Sequence, residues 1–407
     1  MQHSNFKVYS SRWIMLVVYM LMVAVNQLLW ITFAPITGDA TIYYGVTDLQ
    51  IGILSMCFMI VYIVVSIPAS WIIDKYGIRT GVGIGAVFTG VFGLIRGFAG
   101  TDYHLLLIAQ IGIAIGQPFI LNAITKLSAH WFPLEERATA TGLGTLAMYV
   151  GILAGMTLTP YLTLGSGIGG MLHIYGLISI FTAAVFLILI KERPPTAPCR
   201  PDQEERSLVF DGFKQTLRNK NFIWLMIIFF IVLWVFNSVT TWIEDILRPR
   251  GFSATQAGIT GGLMIVGGVI GALIIPMLSD RYKRRTPFIV IALAGSTIGL
   301  AGITFATSYW LLLASGMGLG FFLLSSGPIG FQYCAEITYP ASEGTSNGML
   351  LMMGQVSGIA FIFAMDSLKS ATTGSMTNPL IVLIGLMVIS ILISLRLKES
   401  TILSKEE

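Results

Sequence analysis

The chain has 407 residues, a formal charge of +4, 55% apolar residues and only 11% charged residues. A soluble domain carries roughly 25% charged residues, and the mean hydropathy here is +0.80. These values exclude a soluble enzyme, a disordered chain and a nucleic-acid binder. They describe an all-α, multi-pass membrane protein whose basic residues belong in cytoplasmic loops.

A bilayer-crossing helix needs about 20 apolar residues. The first apolar run predicts a span over 13–36, with no abbreviated hydrophobic region and cleavage site of the kind that marks a signal peptide. Further spans are predicted over 49–72, 80–99, 103–126, 139–161 and 171–190. The composition then changes. Lys191-Glu-Arg-Pro-Pro-Thr-Ala-Pro-Cys-Arg-Pro and Asp202-Gln-Glu-Glu-Arg read as a solvated linker, with a short surface helix expected around 210–217. Six more spans are predicted over 221–246, 254–278, 286–306, 309–333, 345–366 and 378–396. The expected organisation is a six-helix bundle over 1–190, a linker over 191–220 and a second bundle over 221–407. With the N-terminus inside, 20 Lys and Arg fall on the cytoplasmic side and four (Arg96, Arg248, Arg250, Lys369) outside. That asymmetry predicts a cell-membrane protein with both termini and the linker in the cytoplasm.

The halves echo each other. Gly45-Val-Thr-Asp-Leu-Gln-Ile-Gly52 matches Gly251-Phe-Ser-Ala-Thr-Gln-Ala-Gly258 at a shift of 206, which also takes Asp74-Lys-Tyr76 to Asp280-Arg-Tyr282. A shift of 207 takes Pro133 and Glu136 to Pro340 and Glu343. Ordered matches near half the chain length point to a duplicated six-helix unit. Asp74-Lys-Tyr-Gly-Ile-Arg79 resembles the loop signature of the major facilitator superfamily, with Ser70 where its first glycine is usual; Ser279-Asp-Arg-Tyr-Lys-Arg-Arg285 is the second copy. The resemblance implies twelve transmembrane helices in two pseudo-symmetric six-helix bundles. Asp74, Arg79, Asp280, Arg281, Glu136 and Glu343 are candidate gating residues. A carboxylate at a helix end can bond Arg and a neighbouring helix N-terminus; ordinary positive-inside flanking is the alternative.

No nucleophile–base pair, P-loop or cofactor fingerprint is visible, so neither enzymatic chemistry nor a cofactor is expected. Gly81-Val-Gly-Ile-Gly85 and Gly112-Ile-Ala-Ile-Gly116 sit inside spans as packing glycines. Three cysteines (Cys57, Cys199, Cys334) and four scattered histidines suggest neither a disulfide framework nor a metal site. Transport is the leading class. Arg96 is expected to snorkel outward, with structural or gating pairing as the alternative. The absence of an acid near a predicted helix midpoint favours facilitated diffusion. Asn26, Gln27, Trp30, Gln117, Asn122, Trp234, Asn237 and Gln355 are the polar and aromatic candidates, with helix–helix bonding and ligand contact both open for each amide.

Arg12-Trp-Ile-Met-Leu, Asn26-Gln-Leu-Leu-Trp30, Pro68-Ala-Ser-Trp-Ile-Ile-Asp74, Gln117-Pro-Phe-Ile-Leu and Phe331-Gln-Tyr-Cys-Ala-Glu-Ile-Thr-Tyr-Pro-Ala-Ser-Glu-Gly344 resemble the feline leukaemia virus subgroup C receptor family. The resemblance implies a choline-like cation held by Trp30, Gln117, Gln355 and the aromatic Phe236. Asn237 stands where that family usually has a tyrosine, which opens one wall of the aromatic box. Haem, also attributed to the family, finds no His or Cys suited to an axial ligand here.

The expected protein is an alternating-access carrier of a small organic solute, choline-like or another amine, working as a monomer in the bilayer without a nucleic-acid partner. The rivals are a proton- or sodium-coupled carrier, including one binding an organic anion at Arg96, and a non-transporting receptor.

Overall fold

A computed structural model describes residues 8–133, 136–196, 217–338 and 343–399. The side chains of 138 and 343–345 lie outside the described set, as do most of the linker and the helix expected around 210–217.

The first predicted span is broken into α1 (Ser11–Ile31), a 3-10 turn (Ala34–Ile36) and α2 (Thr37–Tyr44). Pro35 lacks an N–H and disfavours helical geometry in the residue before it. The Thr32 hydroxyl donates to the Leu28 and Leu29 carbonyls at 2.9 and 3.2 Å, closing the end of α1. Next come α3 (Asp48–Tyr76), α4 (Ile78–Gly97), α5 (Tyr103–Leu121), α6 (Ile124–Trp131) and α7 (Arg137–Leu189). The fourth predicted span is therefore also interrupted, at Asn122, just after Pro118. At 53 residues, α7 would run about 80 Å if straight, far beyond a ~30 Å hydrocarbon core. Gly167, with φ of 70°, turns it into two membrane-length segments. The second half contains α8 (Lys220–Thr241), α9 (Ile243–Leu247), α10 (Ala254–Arg281), α11 (Thr286–Phe305), α12 (Tyr309–Thr338), α13 (Glu343–Leu368) and α14 (Thr377–Ser394). Among the described residues 11 helical stretches are long and apolar enough to cross a membrane, and the bend in α7 makes twelve.

The chain forms two compact units, one of Met1–Phe33 with Asp39–Ser207, the other of Ala34–Gly38 with Leu208–Glu407. In the first, α1 and α4 pack on α7, while α3 and α4 pack on α5. Leu16, Tyr19, Met22, Val82, Ile120 and Phe186 form its buried centre. Lipid removes the hydrophobic drive between helices, so close backbone approach must supply the contact. A Cβ on Gly85 would lie 2.7 Å from the Gly116 carbonyl oxygen, and the reverse holds at the same distance. Both predicted packing motifs thus meet at the α4–α5 crossing. In the second unit α10 and α11 pack on α12, α8 on α13, and α11 on α14.

The sequence repeat is a repeated capping device. Thr47 accepts from the Gln50 amide at 3.3 Å while Gln50 Oε1 accepts from the Thr47 amide at 2.9 Å, starting α3. Ser253 and Gln256 do the same at 3.2 and 2.9 Å, starting α10. These reciprocal bonds satisfy helix N-terminal donors. The glycines that precede both boxes, Gly45 and Gly251, have φ of 65° and 84°.

Candidate functional site

In the first unit Trp30 lies on the last turn of α1 and is 7% exposed. Its Nε1 donates to the Ser55 carbonyl of α3 at 3.3 Å, fixing the indole plane. Gln117 is 6% exposed on α5, which packs on α3. Asn26 donates to Thr89 Oγ1 of α4 at 3.2 Å, and Gln27 Nε2 lies 3.5 Å from Asn26 Oδ1. Asn26 is thus engaged between α1 and α4, and Gln27 with its own neighbour on α1. Asn122, at the α5–α6 break, accepts from the Tyr62 hydroxyl at 2.7 Å and donates to the Ser66 and Ser70 hydroxyls at 3.0 Å each.

Arg96 departs from expectation. It is fully buried, not snorkelled. Its guanidinium donates to the Leu29 carbonyl at 2.9 Å, Gln110 Oε1 at 3.0 Å and Thr32 Oγ1 at 3.3 Å. Phe33 lies 5.8 Å away by its ring centre. The carbonyls where α1 stops form the negative end of its dipole, and that end receives the cation. Arg96 therefore stabilises the break in α1.

In the second unit Asn237 of α8 donates to the Gly354 carbonyl of α13 at 3.4 Å, beside Gln355. Phe236 and Gln355 are both half-buried. Glu244 and Asp245, just beyond α8, are both buried. Arg248 bonds both, at 3.0 and 2.8 Å, Lys369 lies 3.4 Å from Asp245, and Gly38 donates its amide to Glu244 at 3.0 Å. Asp39 alone of the three acids is exposed.

The gating candidates separate into unequal groups. Asp74 is half exposed, 3.8 Å from Lys126, whose ammonium donates to the Ile73 and Asp74 carbonyls at 2.5 and 3.0 Å. Arg79 contributes its amide, which donates to Glu192 at 2.8 Å. Burial opposes the charge on Glu192, but His130, 3.5 Å away, and the amides of Arg79 and Ile78 outweigh it and hold the carboxyl at about 2. Asp280 pairs with Arg285, while Arg281 is exposed. Arg285 also bonds Glu336 at 3.1 Å; burial works against its charge, but the two carboxylates prevail and raise its pKa. Glu136 forms a two-pronged pair with Arg12 at 2.8 and 3.1 Å. Glu343 opens α13, but its side chain lies outside the described residues. Glu192, Glu336 and Glu399 were absent from the predicted gates. The paired Lys191-Glu192 and Lys398-Glu399 carried a signal, since they repeat at the same shift of 207 as Glu136 and Glu343.

Residues 15–362 match the family model of the Major Facilitator Superfamily. The chain belongs to the major facilitator superfamily. It is 30% identical over 390 residues to solute carrier family 49 member A3 of Xenopus tropicalis, covering 91% of this chain and 81% of the relative. It is 30% identical over 387 residues to the choline/ethanolamine transporter FLVCR1 of Felis catus, covering 89% and 68%. Identity to the choline/ethanolamine transporter flvcr2b of Danio rerio is 28% over 375 residues, covering 87% and 77%. The local resemblance to the feline leukaemia virus subgroup C receptor family thus extends over most of this superfamily member. A solved D-xylose-proton symporter superposes with a TM-score of 0.74 at 15% identity, over 95% of this chain and 98% of its own. A bacterial homologue of the lysosomal transporter Spinster gives 0.73 at 16%, over 96% of both. At those identities the likeness is one of fold.

Proposed function

We propose that this superfamily member is a facilitative, alternating-access carrier of a small organic cation, an amine or quaternary ammonium such as choline or ethanolamine. The observation that carries the reading is Trp30. Its N–H is committed to Ser55, which fixes the indole, so what this side chain would offer a cation is its π face. A quaternary ammonium cannot donate hydrogen bonds and gains about 0.5–2 kcal/mol per desolvated aromatic face. The amide oxygens of Gln117 in the first unit, and of Gln355 and Asn237 in the second, would each suit its positive methyl shell. The names of the choline/ethanolamine transporters among the relatives support the same substrate class.

Facilitation, a plasma-membrane location, cytoplasmic termini, a monomer and the division at 190 and 220 complete the proposal. The buried acids Glu244 and Asp245 already neutralise Arg248 and Lys369, which argues against their serving as a proton-coupling site. The test is uptake of labelled choline and ethanolamine into vesicles containing only this protein. Saturable uptake without an ion gradient is expected. Accumulation driven by a pH step alone would establish the coupled alternative, and absence of uptake of either would overturn the substrate class.

A further inference from the structure

Four polar atoms at the end of α8 and just beyond it are buried without a hydrogen-bond partner: Trp234 Nε1, Ser238 Oγ, Thr241 Oγ1 and Trp242 Nε1. Their spacing of i, i+4, i+7 and i+8 puts them in one stripe on one helix face. Ser238, Thr241 and Trp242 are 0%, 4% and 1% exposed. Groups off the stripe are satisfied. The Thr240 hydroxyl donates to the Phe236 carbonyl at 2.5 Å, and Asn237, at the stripe's edge, reaches Gly354.

A packing explanation reaches only half of this. Ser and Thr hydroxyls on a helix can turn back to the carbonyl four residues earlier. An indole N–H has no such route, because it only donates and points away from its own helix. Two indoles with buried, unpartnered N–H groups, on the same face as two hydroxyls, therefore make a row that an acceptor would satisfy. The row contains no formal charge. The two acids that follow it, Glu244 and Asp245, are held by Arg248 and Lys369. An uncharged oxygen suits these donors, since a carboxylate would be buried there without a cation on the stripe.

We propose that this stripe recognises the hydroxyl oxygen of an amino alcohol, and so distinguishes such substrates from plain alkylammonium ions. The inference rests on the organic-cation reading above and concerns only the ligand's oxygen; Phe236, two residues from Trp234, lies on the opposite face of α8 and takes no part in it. Trp234, packed edge-on to Phe230 at 5.5 Å, also supplies an aromatic ring three residues from Asn237.

The test compares choline with propyltrimethylammonium, in which a methyl group replaces the hydroxyl, by uptake into vesicles. The wild-type protein should favour choline by about tenfold or more in kcat/KM, the scale of a lost buried hydrogen bond. Trp234→Phe, which removes the N–H and keeps an aromatic ring, and Thr241→Val should each cut that preference several-fold by lowering choline uptake alone. Thr240→Val, off the stripe, should keep it. Each variant is scored by its own ratio, so protein yield cancels, and Ser238→Ala replaces any variant that cannot be purified. Equal wild-type uptake of the two cations, a ratio unmoved by the stripe variants, or a preference for glycine betaine over choline would overturn this inference while leaving the cation reading standing. Uptake of neither cation nor ethanolamine would overturn both.

Discussion

Glu192 and Glu399 do the same thing in the two units, 207 residues apart. Each lies just past the last helix of its unit and accepts backbone N–H groups at the start of the unit's third membrane-crossing helix. Glu192 takes the Arg79 amide at 2.8 Å, and Glu399 takes those of Arg285 and Thr286 at 2.7 and 3.3 Å. The carbonyls before them are held alike: Trp131 donates to Lys191 at 3.2 Å and Tyr333 to Lys398 at 2.7 Å. A carboxylate at a helix N-terminus meets both orphan donors and the positive end of the dipole.

This arrangement gives a signed pH dependence. The Glu192 carboxyl is lowered from 4.5 to about 2. A lowered folded-state pKa contributes stability above the unfolded value, and that contribution disappears as pH falls through the folded one. Glu192→Gln should lower the melting temperature of purified protein by a nearly constant amount above about pH 5. The gap to wild type should close between about 4.5 and 2. A gap that widened with acidification would contradict the assignment.

Gly77 stands between α3 and α4 with φ of 93°, and a side chain there would run into the Glu192 carboxylate. Gly77→Ala should therefore destabilise through both backbone strain and the lost cap. Combining it with Glu192→Gln should cost less than the two separate changes together, as expected for sites that share a contact. Additive losses in melting temperature would show that the two positions are independent.

Arg96 joins α4 to the end of α1 and to Gln110 of α5 through three acceptors. Arg96→Gln should cost about 2–3 kcal/mol, since it leaves buried acceptors unmet. Arg96→Lys should fall between, because one ammonium cannot reproduce the planar fork. Denaturant unfolding in detergent measures both. A neutral Arg96→Gln would mean that the break in α1 is stable without its cation.

Glu336 and Asp74 should respond very differently to neutralisation. The Glu336 side chain is 8% exposed against Arg285 at 7%, whereas Asp74 is 53% exposed and 3.8 Å from Lys126. Removing one partner of a buried pair costs about 3–5 kcal/mol, and an exposed pair is worth about 0–1. Glu336→Gln should therefore unfold the protein far more readily than Asp74→Asn. If Asp74→Asn nevertheless slows uptake and increases labelling of introduced cysteines, it acts on the conformational equilibrium. Equal losses of stability would refute the ranking.

Trp30→Ala should abolish choline uptake and Trp30→Phe should retain part of it. The phenylalanine keeps a π face worth about 0.5–2 kcal/mol but loses the bond to Ser55. Radiolabel uptake at several concentrations separates lost affinity from lost turnover. Uptake unchanged in Trp30→Ala would remove the aromatic from the binding site.

The sequence by itself determined the membrane class, the spans, the duplication and the helix starts. Those features are local: lipid demands about 20 apolar residues per crossing, and Thr47 with Gln50 can close a capping box from neighbours in the chain. It did not mark the breaks: the first and fourth spans read as continuous runs, and Pro118 lies inside α5 just as Pro68, Pro276 and Pro328 lie inside helices that continue past them. Only the tertiary structure decided what the buried polar groups do. Arg96 meets Leu29 at a separation of 67 residues and Arg285 meets Glu399 at 114, and the span pattern says nothing about such partners. The same holds for Asn26, whose amide is consumed by Thr89, and for the face of α8 on which Trp234 and Trp242 align. A polar side chain in a membrane helix must find a partner; helix packing decides whether that partner is another helix or the solute.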